Sequence, residues 1–377
     1  MSTLRVLSIA CACAALFAGL AWKGLREEAT AQAAPMLASG AAVDRAGLDA
    51  TLRRLARTGQ FSGAVLIAKD GNVVFSRAYG LADRARRVPN TVGTRFRIGS
   101  MNKMFTAVAT LQLVEAGTID LSAPLGEYLT DYPNAEVARG VTIHHLLTHT
   151  GGTGDIFGPQ FAARRNELRR HSDYLELYGD RGLQFEPGSS WAYSNYGFVL
   201  LGAVIERVTG GSYYDYVQKH IYEPAGMTRT GSLPENEAVT HRAVGYMRGP
   251  GRFVPNTHTL PYRGTSAGGG YSTVADLARF ADALMSHELL SPESTARLIE
   301  GKVQAWGAAK YAYGFADRRD AAGRGWVGHG GGAPGMNGDL RIYPRSGYVV
   351  AVLANIDPPA AQQVTGSACS YVRSPPC

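Results

Sequence analysis

Segments with strand character stand at both ends of the chain and segments with helix character fill the middle, and this distribution restricts the fold more than any other feature. Residues 61–68 and 73–79 flank Asp70-Gly71, a dipeptide suited to a tight hairpin turn. Four more strand-like runs follow Tyr311, at 313–316, 325–329, 338–343 and 348–355, the last two joined by Pro344-Arg345-Ser346-Gly347. Apolar residues at helical spacing mark 44–58, where Leu48, Leu52 and Leu55 share a face, and 100–116, which ends at Gly117. Further helices are predicted at 143–148, 196–209, 213–221, 276–285 and 292–300. The simplest assembly is an α+β fold: one antiparallel sheet built from both chain ends, flanked by helices, with a mostly helical inserted subdomain at 119–267. The expected organisation is a folded domain over 44–360 and a C-terminal tail over 361–377.

The first 33 residues read differently from the rest. Arg5 precedes an apolar stretch at 6–22, and Ala31-Gln32-Ala33 is a small-x-small cleavage candidate. A signal peptide over 1–33, a linker over 34–43 and a periplasmic or secreted protein are expected. An uncleaved membrane anchor is the alternative, because 17 apolar residues are at the short end for a span. Only Cys369 and Cys377 would remain after cleavage, and in an oxidising compartment they could close a small loop. The composition, 45% hydrophobic and 18% charged over 377 residues, is that of a globular chain and excludes disorder. The net charge of +7 comes from scattered arginines without a basic run, so no nucleic-acid partner is indicated. The oligomeric state is not legible.

Three short segments carry chemistry. In Ser100-Met101-Asn102-Lys103, the spacing puts a hydroxyl and an amine on one face of a helix predicted to begin at Ser100. The helix start offers free backbone N–H groups, which favour negative charge on an attacked carbonyl, and a desolvated lysine can act as the base of the hydroxyl. In Trp191-Ala192-Tyr193-Ser194-Asn195, a phenol can relay a proton and an amide two positions on can point at the same site. In His329-Gly330-Gly331-Gly332, glycines at the end of a predicted strand let a substrate lie close to the backbone, where their N–H groups could complete an oxyanion hole with that of Ser100.

The order and separation of these segments resemble the serine beta-lactamase, penicillin-binding protein and carboxylesterase superfamily, marked by Ser-x-x-Lys, Tyr-x-Asn and Lys/His-(Thr/Ser/Gly)-Gly. The likeness is strongest to its class C-like branch, which includes esterases and D-aminopeptidases. It extends to Leu146-Leu147-Thr148-His149-Thr150-Gly151-Gly152, Phe185-Glu186-Pro187-Gly188 and Ser266-Ala267-Gly268-Gly269, and covers residues 45 to 356. The resemblance implies Ser100 as acylated nucleophile, Lys103 as its base partner and Tyr193 as proton relay. Asn195, His329, Gly330, Gly331 and Gly332 would bind substrate. No cofactor or metal is implied, and the partner is a small-molecule ester, amide or D-amino-acid peptide. His329 stands where beta-lactamases and penicillin-binding proteins usually carry lysine, so a fixed cation for a substrate carboxylate is missing.

An esterase leads among the activities, with a D-amino-acid peptidase or transpeptidase and a beta-lactamase as alternatives. A non-catalytic scaffold of the same fold is a reading of another class. Gly264-Thr265-Ser266-Ala267-Gly268 also fits the nucleophile elbow of alpha/beta hydrolases, with Asp276 and His329 in the matching chain order, although the polar residues before it do not suit the strand an elbow needs. His145 and His149 are spaced as metal ligands can be, but no glutamate follows His145 as in zinc proteases. Residues 148–151 read better as a helix end whose polar groups bond locally.

Overall fold

A computed structural model describes residues 43–372. The predicted signal peptide, nearly all of the predicted linker and Cys377 lie outside the described residues. Among those described, no helix is long and apolar enough to cross a membrane.

The chain starts with helix α1 (Arg45–Arg57), capped by the Asp44 side chain accepting from the Gly47 N–H. The hairpin follows as β1 (Gly63–Lys69) and β2 (Asn72–Tyr79), with Asp70 and Gly71 both at positive φ in its turn. Helix α2 (Asn102–Glu115) comes next. The middle of the chain supplies α3 (Ile143–Thr148), α4 (Pro159–Arg164), α5 (His171–Tyr178), α6 (Asn195–Thr209) and α7 (Val274–Met285). The C-terminal part adds β3 (Val303–Gln304), β4 (Lys310–Tyr311), β5 (Ala316–Asp317), β6 (Val327–Ala333), β7 (Met336–Tyr343), β8 (Tyr348–Ala354) and helix α8 (Ala360–Cys369).

These strands form one antiparallel sheet in the order β2-β1-β8-β7-β6-β5-β4-β3. The first hairpin and the last strand meet next to its β2 edge, where Gly63 of β1 pairs with Ala354 of β8. The strand period of two sorts side chains between two cores. Val65, Ile67, Val350 and Val352 face Leu48 and Leu52 of α1 and Ala361 and Val364 of α8. Ala64, Leu66, Ala351 and Leu353 face the larger core, with Phe105 and Val108 of α2 and Phe280 of α7. Helix α2 is buried on all sides, which explains why its apolar residues do not alternate with polar ones.

Four details depart from the expectations. The predicted tail holds α8, packed on the sheet, because Ala361, Val364 and Ala368 make an apolar stripe at helical spacing. The predicted helical insertion contains a hairpin, Tyr246–Gly249 with Arg252–Pro255. The strand expected at 313–316 is instead a turn between β4 and β5, with Gly314 at φ +69°. A Cβ there would come within 2.6 Å of the Lys103 carbonyl oxygen, so the turn lies against α2. The strand expected to end at His329 runs on to Ala333, and its glycines sit within the sheet. Strand β6 passes so close to the chain before α2 that a Cβ on Gly331 would lie 1.8 Å from the Ile98 carbonyl oxygen.

Candidate active site

The predicted residues converge where β6, the start of α2 and the start of α6 meet. Ser100 lies in a 3-10 turn, Gly99–Met101, and the α-helix begins only at Asn102. The expected helix start is therefore a tighter turn. The seryl side stays partly exposed, while Lys103, one turn further on, is fully buried.

The Lys103 ammonium donates to Asn195 Oδ1 at 2.7 Å and to the Ala267 carbonyl at 2.5 Å, and it stands 3.5 Å from Ser100 Oγ. It also faces the rings of Tyr193 and Phe198, at 4.7 and 5.4 Å from their centroids. Burial disfavours the charged amine and pulls it from 10.5 down to about 7, with the Asp155 carboxylate acting in the opposite direction. A substantial neutral fraction thus exists at neutral pH, next to a reachable hydroxyl.

The segment 264–269 is held by α2. Asn102 donates to the Thr265 carbonyl at 2.7 Å, Thr106 to that of Ser266 at 2.7 Å, and Lys103 to that of Ala267. Three successive carbonyls are each taken by one helix side chain, which fixes the acceptor of the lysine.

Asn195 is the first residue of α6, and both its backbone N–H and its side-chain amide donate to the Asp155 carboxylate at 3.1 Å. Sequence reasoning missed Asp155, which orients the amide so that its oxygen meets Lys103. Tyr193 stands just before the helix. Burial raises its phenol, and a hydrogen bond with Ser100 opposes the rise. Its ring leans on His149, with centroids 4.3 Å apart.

His149 was also missed as a site residue. It caps α3 in the left-handed region at φ 61°. Its carbonyl accepts from the Ala192 N–H and its Nδ1 from the Ser194 N–H, both at 3.1 Å. One residue thus holds the backbone on either side of Tyr193. The expectation of a helix end with local bonding holds for Thr148, which donates to the His144 carbonyl, and for the His149 N–H, which caps the helix, while the His149 carbonyl and ring reach distant partners. Burial and the nearby Lys103 and His329 push the His149 imidazole well below its usual range.

His329 sits inside β6. Its Nδ1–H donates to the Gly330 carbonyl, leaving Nε2 to accept from the buried Tyr311 hydroxyl at 3.0 Å. Burial, with a smaller contribution from Lys103, lowers it to about 3, so the imidazole is neutral at physiological pH. Tyr311 had no sequence signal beyond its place next to the first C-terminal strands.

Two clefts open at this point, and Ser100 and Gly332 line both. The first is walled mainly by apolar side chains, Ile156, Phe157, Phe161, Leu260, Pro261 and Met336, with Asn195 at its inner end. The second is lined by Tyr193, His329, Trp306, Trp326, Arg318 and Arg341. Arg341 bonds Asp339 at 3.0 Å and stacks on Trp326, so its charge is matched. Arg263 belongs to the first cleft, where it lies 3.3 Å from the Tyr214 centroid and donates to the Ser232 carbonyl.

The elbow reading of Ser266 is corrected. Ser266 is fully buried and lines neither cleft; its hydroxyl donates to the Phe198 carbonyl at 2.7 Å and lies 2.9 Å from His171 Nε2. His171 Nδ1 is 3.0 Å from Glu206, so a serine, a histidine and an acid do line up, but sealed between α5 and α6. Asp276, the acid the elbow needed, receives the Arg229 N–H and the Thr230 hydroxyl instead. The antiparallel sheet also lacks the parallel strands on which an elbow stands.

Comparison with known proteins agrees with this geometry. Penicillin-binding protein 4* of Bacillus subtilis (strain 168) is 30% identical over 314 residues, covering 78% of this chain and 68% of that protein. Esterase EstB of Burkholderia gladioli is 32% identical over 286 residues, covering 67% and 72%. The crystal structure of a penicillin binding protein from Bacillus halodurans superposes with a TM-score of 0.77 at 35% identity, covering 83% of this chain and 97% of that one. The Beta-lactamase family matches residues 48–367, and the chain belongs to that family of serine hydrolases.

Proposed function

We propose that this protein is an exported serine hydrolase that cleaves a small ester through an acyl-enzyme on Ser100. The observation that carries the reading is the environment of Lys103: a buried amine lowered to about 7, held by Asn195 and the Ala267 carbonyl, within 3.5 Å of the exposed-side hydroxyl. Neutral Lys103 takes the hydroxyl proton as Ser100 Oγ bonds to the substrate carbonyl carbon. The backbone N–H groups of Ser100 and of a residue near Gly332 receive the charge on the carbonyl oxygen. The proton taken up by Lys103 is relayed through the Tyr193 phenol to the departing oxygen as its bond to carbon breaks, which restores the neutral amine and the phenol. Water then attacks the acyl-enzyme, releasing a carboxylic acid and the free serine. Asn195 positions Lys103, and the Gly330–Gly332 backbone lies along the substrate, with neutral His329 beside it.

Esterase is favoured over beta-lactamase because the second cleft has a neutral imidazole where a fixed cation would meet a carboxylate. A D-amino-acid peptidase is the second reading, favoured by Arg318 on that same cleft wall. The N-terminal sequence supports export, with cleavage before Ala34. A panel of p-nitrophenyl esters, D-Ala peptides and nitrocefin, with Ser100→Ala as control, tests the activity. Fluorophosphonate treatment followed by peptide mass spectrometry should find the adduct on Ser100. An unlabelled protein would be a scaffold, and an adduct elsewhere would move the nucleophile.

A further inference from the structure

We infer that the apolar cleft beside Ser100 is an acyl pocket, and that the acid released by the enzyme carries an uncharged apolar chain several carbons long. The inference rests on the proposed acyl-enzyme chemistry and names the substrate class for that site.

The two clefts are not interchangeable with respect to the reacting carbonyl. Tyr193, the group placed to protonate the leaving oxygen, lines the second cleft and not the first. The leaving group therefore departs into the second cleft. What stays bonded to Ser100 extends into the first, past Asn195 and Ala267.

The walls of the first cleft select what can lie there. Phe157 and Phe161 meet edge-on, with centroids 5.1 Å apart, and Leu260 and Met336 add further apolar surface. Phe157 is 63% exposed, the most exposed of the large apolar side chains among the described residues. A chain lying in the cleft would remove that surface from water, and apolar burial drives such binding. The cation at this cleft, Arg263, is stacked on Tyr214 and bonded to the Ser232 carbonyl, so its guanidinium is committed to the wall. An acyl chain with a charged end would have to exchange water for these groups, at a cost an uncharged chain avoids.

The experiment uses the full chain and p-nitrophenyl acetate, butyrate, hexanoate and octanoate, after fluorophosphonate labelling has located the nucleophile. A fully buried methylene is worth about fourfold. With partial burial, kcat/KM should rise at least about tenfold from acetate to hexanoate. Phe157→Ala and Phe161→Ala, both at positions not buried in the core, should each lower the hexanoate-to-acetate ratio of kcat/KM by about threefold or more. A flat or falling series from a protein labelled on Ser100 would overturn the acyl pocket and leave the hydrolase standing. Faster turnover of the mono-p-nitrophenyl ester of adipic acid than of the hexanoate would overturn it in favour of an anionic acid read by Arg263. Absence of both labelling and ester turnover would overturn the hydrolase reading and the pocket with it.

Discussion

The two clefts share Ser100 and Gly332 and differ in almost everything else. The walls of the apolar cleft come largely from the middle of the chain, 156–174 and 259–269, together with the β6–β7 turn. The walls of the aromatic and charged cleft come largely from the C-terminal part of the chain, with Trp306, Arg318, Trp326, Arg341 and Gln362 among them, and Tyr193 added from the middle. One nucleophile thus faces two surfaces encoded in separate stretches of sequence. The reaction centre, by contrast, needs α2, α6, the 264–269 segment and β6 together.

That contrast can be broken most directly at the shared centre. Lys103→Ala and Tyr193→Phe should each lower kcat by roughly 10²-fold or more on every substrate, whichever cleft it favours. The double variant should fall little further, as members of a coupled set do. Full activity of Lys103→Ala on either substrate class would mean the clefts do not share a base. Steady-state kinetics on a neutral ester and on nitrocefin decides the matter.

The pH profile is the next largest effect. The base acts when neutral, and burial places its midpoint near 7. Below that point kcat/KM should fall about tenfold per pH unit, and above it level off, with the same midpoint for both substrates. His329, already lowered to about 3, should add no limb in the neutral range. Different midpoints for the two substrates would assign the titration to a cleft and not to Lys103.

Changes on one side should then act on one substrate class. His329→Lys places a cation at the second cleft and should shift the nitrocefin-to-ester ratio about tenfold toward nitrocefin. Efficient nitrocefin turnover by the unaltered protein, at or above its ester rate, would show that a neutral imidazole is no obstacle. The smallest effect is expected from Arg318→Ala: about threefold weaker kcat/KM for esters with a carboxylate on the alcohol, and no change for neutral alcohols. Equal losses on both would make Arg318 a structural residue.

Much of the fold is legible in the sequence. The strand-rich ends and helix-rich middle predict the sheet, because a period of two and a period of 3.6 leave different marks in a sequence. Ser100, Lys103, Tyr193 and Asn195 were nameable from short spacings, and the structure brings their side chains together. The predicted strand stops at His329 because glycine is a poor strand former, yet the glycines that follow continue β6. What demands glycine at 331 is the Ile98 carbonyl, more than 200 positions away and invisible to local propensity. Asp155, His149 and Tyr311 were missed for the same reason. Each acts through a partner distant in sequence, and nothing in the residues beside an aspartate, a histidine or a tyrosine announces such a partner. The helix α8 was hidden differently, since its short stripe of alanine and valine resembles the composition of a tail.

The pairing of β1 with β8 has a bearing on the order in which the molecule can come into being. Strand β1 is apolar on both faces and is made long before β8, and of its two neighbours only β2 is made soon enough to sit beside it. Its other neighbour, β8, begins only at Tyr348. Until β8 is made the nascent chain therefore exposes an open strand edge, the feature that invites pairing between chains. Contacts this far apart in sequence also make for slow folding. A message that stops before Tyr348 would yield a product with the nucleophile, its lysine and its glycine strand all present, but with the seam of its sheet unclosed.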